Sequence, residues 1–201
     1  MSCHLLERGS SIDCDALPSP GTEARLILIN FDDIVKIYYS DQGNITSIVM
    51  QTETVAYEFF GFKQDVRKSE GVVKTNLKNR FIHSLDFIVY EVTQVQKNNL
   101  TKMAKGRLVA ILELSGKEDY SLELLGKDCG LKMSQGVIKD VHEHSGAYKI
   151  NLRTPDNGIE FEGRLPQVVG TTYENGLEII DDILEEEEVS LAFDYDLDFE
   201  L

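Results

Sequence analysis

RLILINF, Arg25 to Phe31, is a continuous apolar run between turn residues, the pattern of a short strand buried in a core. Runs of similar length then recur: ITSIVM after a DQGN turn at Asp41 to Asn44, VAYEFFGF at Val55 to Phe62, and RFIHSLDFIVYEV at Arg80 to Val92. RLVAILEL, a turn at Ser115 to Glu118, YSLELL, GLKMSQGVI, AYKINLRT and IEFEG continue the series. Within Arg80 to Val92, alternation puts Phe81, His83, Leu85, Phe87 and Val89 on one face. This run and Val55 to Phe62 are expected to form a long antiparallel pair. Asn157-Gly158 predicts a hairpin joining AYKINLRT to IEFEG, because both central positions of a type I′ turn need positive φ. One helix is expected in TQVQKNNLTKMAKG. Thr93 and Gln96 fit a capping box, Val95, Leu100 and Met103 recur at roughly helical spacing, and Gly106 is a ready C-cap.

Short strands at regular spacing must bury their oily faces against one another. The expected fold is therefore mainly β: an antiparallel β-sandwich or barrel with one flanking α-helix. Three regions follow from the texture of the sequence: an N-terminal arm (1–23), a sandwich domain (24–169) and an acidic C-terminal arm (170–201). Residues 63–79, polar and with a turn residue at Gly71, are expected to project from the sandwich as a loop.

The charge is unevenly placed. Of a formal −15, residues 178–201 hold −11 with no Lys or Arg, leaving −4 for residues 1–177. That balance argues against a free-standing nucleic-acid binder, whose affinity rests on cations neutralising phosphates. The 63–79 stretch is the cationic counterpart, at +3. No apolar run approaches the ~20 residues that span a bilayer, so no membrane partner is expected. Cys3, Cys14 and Cys129 have no zinc-like spacing, and with no secretory h-region after Met1 a reducing cytoplasm is the expected place of synthesis.

Glycine-rich phosphate loops, G-x-S-x-G, C-x-x-C and H-E-x-x-H are all absent from the sequence. His142 and His144 would share a strand face with Asp140, but without a third spaced ligand they read as strand-end decoration. Asp194, Asp196 and Asp198 mimic the start of a calcium loop without its sixth-position glycine. Cys3, His4 and Cys14 fit an arm with free thiols better than a metal cluster. No catalytic residue, cofactor or metal is expected.

VSLAFDYDLDFEL, residues 189–201, alternates strictly. Val189, Leu191, Phe193, Tyr195, Leu197, Phe199 and Leu201 fall on one side of a strand and the carboxylates on the other. Leaving such side chains in water forgoes ~1.5 to 3 kcal/mol each. The segment is therefore expected to pair with a sheet edge, on an adjacent subunit in preference to its own, with its acidic face near Lys63, Arg67, Lys68, Lys74 and Lys78. The alternatives are closure onto its own domain, or a short amphipathic helix in GLEIIDDILEEEE with Leu177, Ile180 and Leu184 on one face.

The order of LLERGSSIDCD, LILINFDDI, YEFFGF and FIHSLDFIVYEV around a polar loop, then LVAILEL, YSLELLGKDCGLKMSQGVI and GAYKINLRTPDNGIEFEG, resembles small virion structural proteins of tailed phages that infect Bacteroidetes, the crAss-like phages among them. These are similar to tail-tube and head-to-tail ring proteins. The likeness spans residues 1–169. It implies a non-enzymatic protein of the virion, assembled in the bacterial host cytoplasm into a ring of itself, hexamer or dodecamer. Adjacent tail, neck or portal-side rings would be its neighbours, and DNA would pass transiently through the lumen. A neutral to acidic wall suits such a conduit, because a basic one would hold the duplex by counterion release. The alternative reading is an acidic interaction module, a chaperone or DNA mimic, binding a basic partner through its tail; a metal-dependent hydrolase built on His142 and His144 ranks last.

Overall fold

A computed structural model describes residues 22–60, 66–74, 79–91, 93–134, 146–155 and 160–184. Its strands are β1 (Thr22–Asn30), β2 (Ile34–Tyr39), β3 (Ile45–Met50), β4 (Tyr57–Phe60), β5 (Arg67–Lys74), β6 (Asn79–Val89), β7 (Leu108–Leu114), β8 (Leu122–Leu125), β9 (Lys132–Met133), β10 (Tyr148–Arg153) and β11 (Gln167–Val168). Two helices join them, α1 (Gln94–Met103) and α2 (Tyr173–Asp181). The fold is mainly β, with antiparallel sheets, as expected.

A five-stranded sheet in the order β11-β8-β7-β1-β4 lies at the centre. Its middle strands, β1 and β7, are the two continuous apolar runs, and they are oily on both sides because both sides are covered. Leu26, Leu28, Ala110 and Leu112 meet Leu85, Phe87, Ile150 and Leu152 of a second sheet, ordered β5-β6-β10-β9. On the opposite face Ile27, Ile29, Val109 and Ile111 meet Ile45 and Ile48 of the β2-β3 hairpin and Ile179, Ile180 and Ile183 of the α2 segment. The sandwich thus carries a third layer on one side.

Local signals act where the sequence places them. Gly43, at φ 90°, makes the turn between β2 and β3, and Gly116 with Lys117 takes the positive φ values between β7 and β8. The Thr93 hydroxyl caps α1, accepting from the Gln96 amide at 3.2 Å. His83, Leu85, Phe87 and Val89 are buried in alternation along β6, with Phe81 half-buried at the same phase.

Four expectations need correction. β4 pairs with β1, and β6 pairs with β5 and β10, so the two aromatic runs lie in different sheets. Much of the expected 63–79 loop is strand β5, in continuous register with β6 from Arg67↔Asp86 to Lys74↔Asn79. Among the described residues the segments flanking Asn157-Gly158 do not pair with each other: β10 runs along β6, and Glu162 bridges Phe81 further along that strand. The dipeptide itself lies outside the described residues. Finally, the body does not stop at 169. α2 is capped by the Thr172 hydroxyl, and Ile179, Ile180 and Ile183 sit inside the second core. In α1, Leu100 is buried while Val95 is 68% exposed, so the expected apolar stripe is narrower than its spacing suggested.

Candidate functional site

An enclosed polar cluster lies where β6 passes the turn after β8. His83 is 2% exposed; its Nδ1 accepts from the Gly126 amide at 3.2 Å, and its Nε2–H donates to the Arg164 carbonyl at 3.0 Å. An amide donor at Nδ1 and a carbonyl acceptor at Nε2 leave room only for the neutral Nε2–H tautomer. Burial holds the imidazole below its ordinary pKa, against the opposing pull of Glu162. Glu162, 1% exposed, accepts from the Asp128 amide at 2.9 Å, the Cys129 amide at 3.3 Å and the Cys129 thiol at 3.1 Å. Burial, then the hydrogen bond to Glu162, pushes the Cys129 thiol well above its ordinary value. A buried thiol kept protonated is a poor nucleophile, and an imidazole with both nitrogens engaged is a poor base. The cluster's evident work is to tie the 126–130 turn and residues 162–164 to β6.

Among the described residues no group of three or more His, Cys, Asp or Glu could hold a metal ion. Asp140, His142, His144, the Asp194–Asp198 triplet and the Cys3, His4 and Cys14 set lie outside them. No helix among the described residues is long and apolar enough to cross a membrane.

The sheet edges offer a different kind of site. β4 closes one side of the central sheet, and its end residues Tyr57 and Phe60 are 53% and 72% exposed. Just before β4, the Ala56 amide donates to the Ile183 carbonyl at 2.8 Å, and Leu184 stands in parallel register with Ala56. β5 closes the second sheet with eight residues, and among the described residues its outer backbone edge has no strand partner. Of the expected interface residues, Arg67 is exposed at the start of β5. Lys68 points the other way, into the sandwich, where it pairs with Glu123 of β8 and, at 3.1 Å, with Glu70. Lys74 closes β5, its side chain outside the described set; Lys63, Lys78, Val189, Leu191, Phe193, Tyr195, Leu197, Phe199 and Leu201 also lie outside it.

Sequence reading missed the outward face of the second sheet. Registers place Arg67, Arg80, Lys149, Arg153 and Lys132 on one side with Asp86, five cations against one carboxylate. None of the five makes an ion pair among the described residues. A depression of about 280 Å³ opens on this face, lined in part by Ser69, Ser84, Asn151 and Arg153. The signal was present as charges at alternate positions of three strands, but it emerges only once those strands are aligned. Comparison of the chain with family models, with curated proteins and with solved structures returns no match.

Proposed function

We propose that this chain is a non-enzymatic phage structural protein that assembles into rings forming part of the tail tube or neck through which DNA passes. The observation that carries the reading is a body with two filled cores and open edges: β4 and β5 each end a sheet with strand backbone exposed among the described residues. Such an edge is a pairing hazard in a monomer and a joint in a ring, where each copy completes its neighbour's sheet. The family resemblance adds the virion context. In this reading the basic outer face of the β5-β6-β10-β9 sheet turns away from the lumen, since five cations there would grip the passing duplex. Negative-stain microscopy of the purified protein across a concentration series tests it: rings with an axial hole are expected, and a particle that stays monomeric throughout refutes the proposal.

A second reading has its own observation. The −11 carried by residues 178–201 suits an acidic module that captures a basic protein. Binding of a basic protein that weakens with salt and is lost when the carboxylates of residues 185–201 are neutralised, with no self-assembly, would favour it over the ring.

A further inference from the structure

We infer that the free edge of β5, with the basic outer sheet face beside it, is the acceptor site for residues 185–201 of a second copy of this chain. The inference rests on the assembly reading above and assigns it a joint.

Three observations select β5. Among the described residues it is the longest sheet edge, eight residues against six each in β2 and β3, four in β4 and two each in β9 and β11. A strand added beside β5 shares its pleat, so one set of its side chains continues the outer face past Arg67 and Ser69, and the other turns inward beside Val72, which is 61% exposed. Residues 189–201 have that two-sided chemistry: Asp194, Asp196, Asp198 and Glu200 alternate with seven apolar residues. Carboxylates meet Arg67 and Arg80, with Lys149, Arg153 and Lys132 adding to the field, while the apolar set covers the sandwich rim.

The β4 edge is the wrong acceptor. Glu58 lies on β4, and Glu178, Asp181 and Asp182 lie at the end of α2, four carboxylates against the single guanidinium of Arg25, which already pairs with Glu58 and Asp181. Leu184 sits beside that edge, and Glu185 to Glu188 follow it. Like charge at the exit steers the segment off its own body, which favours a neighbour's β5 over the parent copy's.

The test uses two full-length variants followed by sedimentation velocity. One reverses the face (Arg67→Glu, Arg80→Glu, Arg153→Glu); the other neutralises the segment (Asp194→Asn, Asp196→Asn, Asp198→Asn, Glu200→Gln). Far-UV circular dichroism checks that each is folded, and Arg67→Glu alone serves if the triple reversal is not. Each variant should associate at least about tenfold more weakly than the parent chain, because the reversed face sets like charges against the segment and the neutralised segment loses its attraction to the face. Mixed one to one they should form a pair and stop there, because one supplies the only competent segment and the other the only competent face. A face-reversed variant that assembles like the parent overturns the inference and leaves the ring reading standing. A parent chain that stays monomeric overturns both. A one-to-one mixture that does not pair, with the segment instead cross-linking to β5 of its own copy, shows closure within one chain and also overturns the inference.

Discussion

Replacing Gly176 by alanine should destabilise the protein, although the same change in an exposed helix stabilises it by ~1 kcal/mol. Gly176 lies in the middle of α2 and is buried. A Cβ there would come within 2.6 Å of both the Leu122 Cδ1 and the Val169 carbonyl oxygen. Neither neighbour can easily yield. Leu122 is fully buried in the second core, and the Val169 backbone is held by a 2.8 Å bond from its amide to the Leu122 carbonyl. The approach is mutual: a Cβ on Gly170, whose φ is +86°, would come within 2.4 Å of the Gly176 nitrogen. Overpacking costs ~1–3 kcal/mol, and two contacts at 2.6 Å against neighbours that cannot yield place Gly176 in the upper part of that range, at ~2–3 kcal/mol, which exceeds the propensity gain. Urea denaturation should therefore show a net loss of about 1–2 kcal/mol, or roughly 2–8 °C in Tm for a chain of this size. Gly71→Ala in β5 is the control, because nothing lies within 4 Å of its Cβ position; it should gain about 0.5–1 kcal/mol. If Gly176→Ala is as stabilising as the control, α2 is not packed against the central sheet and the third layer is wrong.

Two further predictions concern the buried cluster. His83→Leu leaves the buried Gly126 amide without its acceptor and should cost about 1–3 kcal/mol, while the Arg164 carbonyl, on an exposed residue, can turn to water. The parent chain should also lose stability as pH falls below ~6.5: the unfolded imidazole takes a proton there that the buried one, with its lowered pKa, refuses, so the stabilisation present above that pH fades on acidification. The Leu variant should lack this component, and a parallel pH slope for both proteins in chemical denaturation would refute the assignment. Cys129 should resist iodoacetamide in the folded protein at pH 8 and react on unfolding, because its thiol is buried and its pKa raised; rapid labelling of the native protein at this residue would contradict that.

Side-chain patterns made the strands legible more readily than their partners. The oily runs of β1 and β7 announce burial on both faces, and the alternation of β6 announces burial on one, because these depend on which side chains leave water. The order of strands depends on which faces meet, and VAYEFFGF carries no mark that its neighbour is β1 rather than β6. KSEGVVK in β5 has the texture of a loop because it is polar and holds a glycine, yet an edge strand with one solvated face needs little more than backbone pairing and a few inward contacts. Charge alone groups residues 170–184 with the acidic arm. What binds them to the body includes three isoleucines, a pair of glycines close enough for two backbones to touch, and backbone bonds to Ile45 and Ala56, features that charge does not reveal. The basic sheet face was illegible for the same reason as the pairing, since it exists only across aligned strands.

Hydrogen–deuterium exchange of the full chain, followed across a concentration series at the outward β5 amides that do not bond β6, tests the proposed joint most directly. Slowing of β5 exchange as the protein assembles, lost again in 0.5 M salt, where charge attraction is screened to within ~5 Å, is the predicted result. Exchange at these outward amides that is already slow in the dilute monomer, or that stays fast in the assembled protein, would contradict the account.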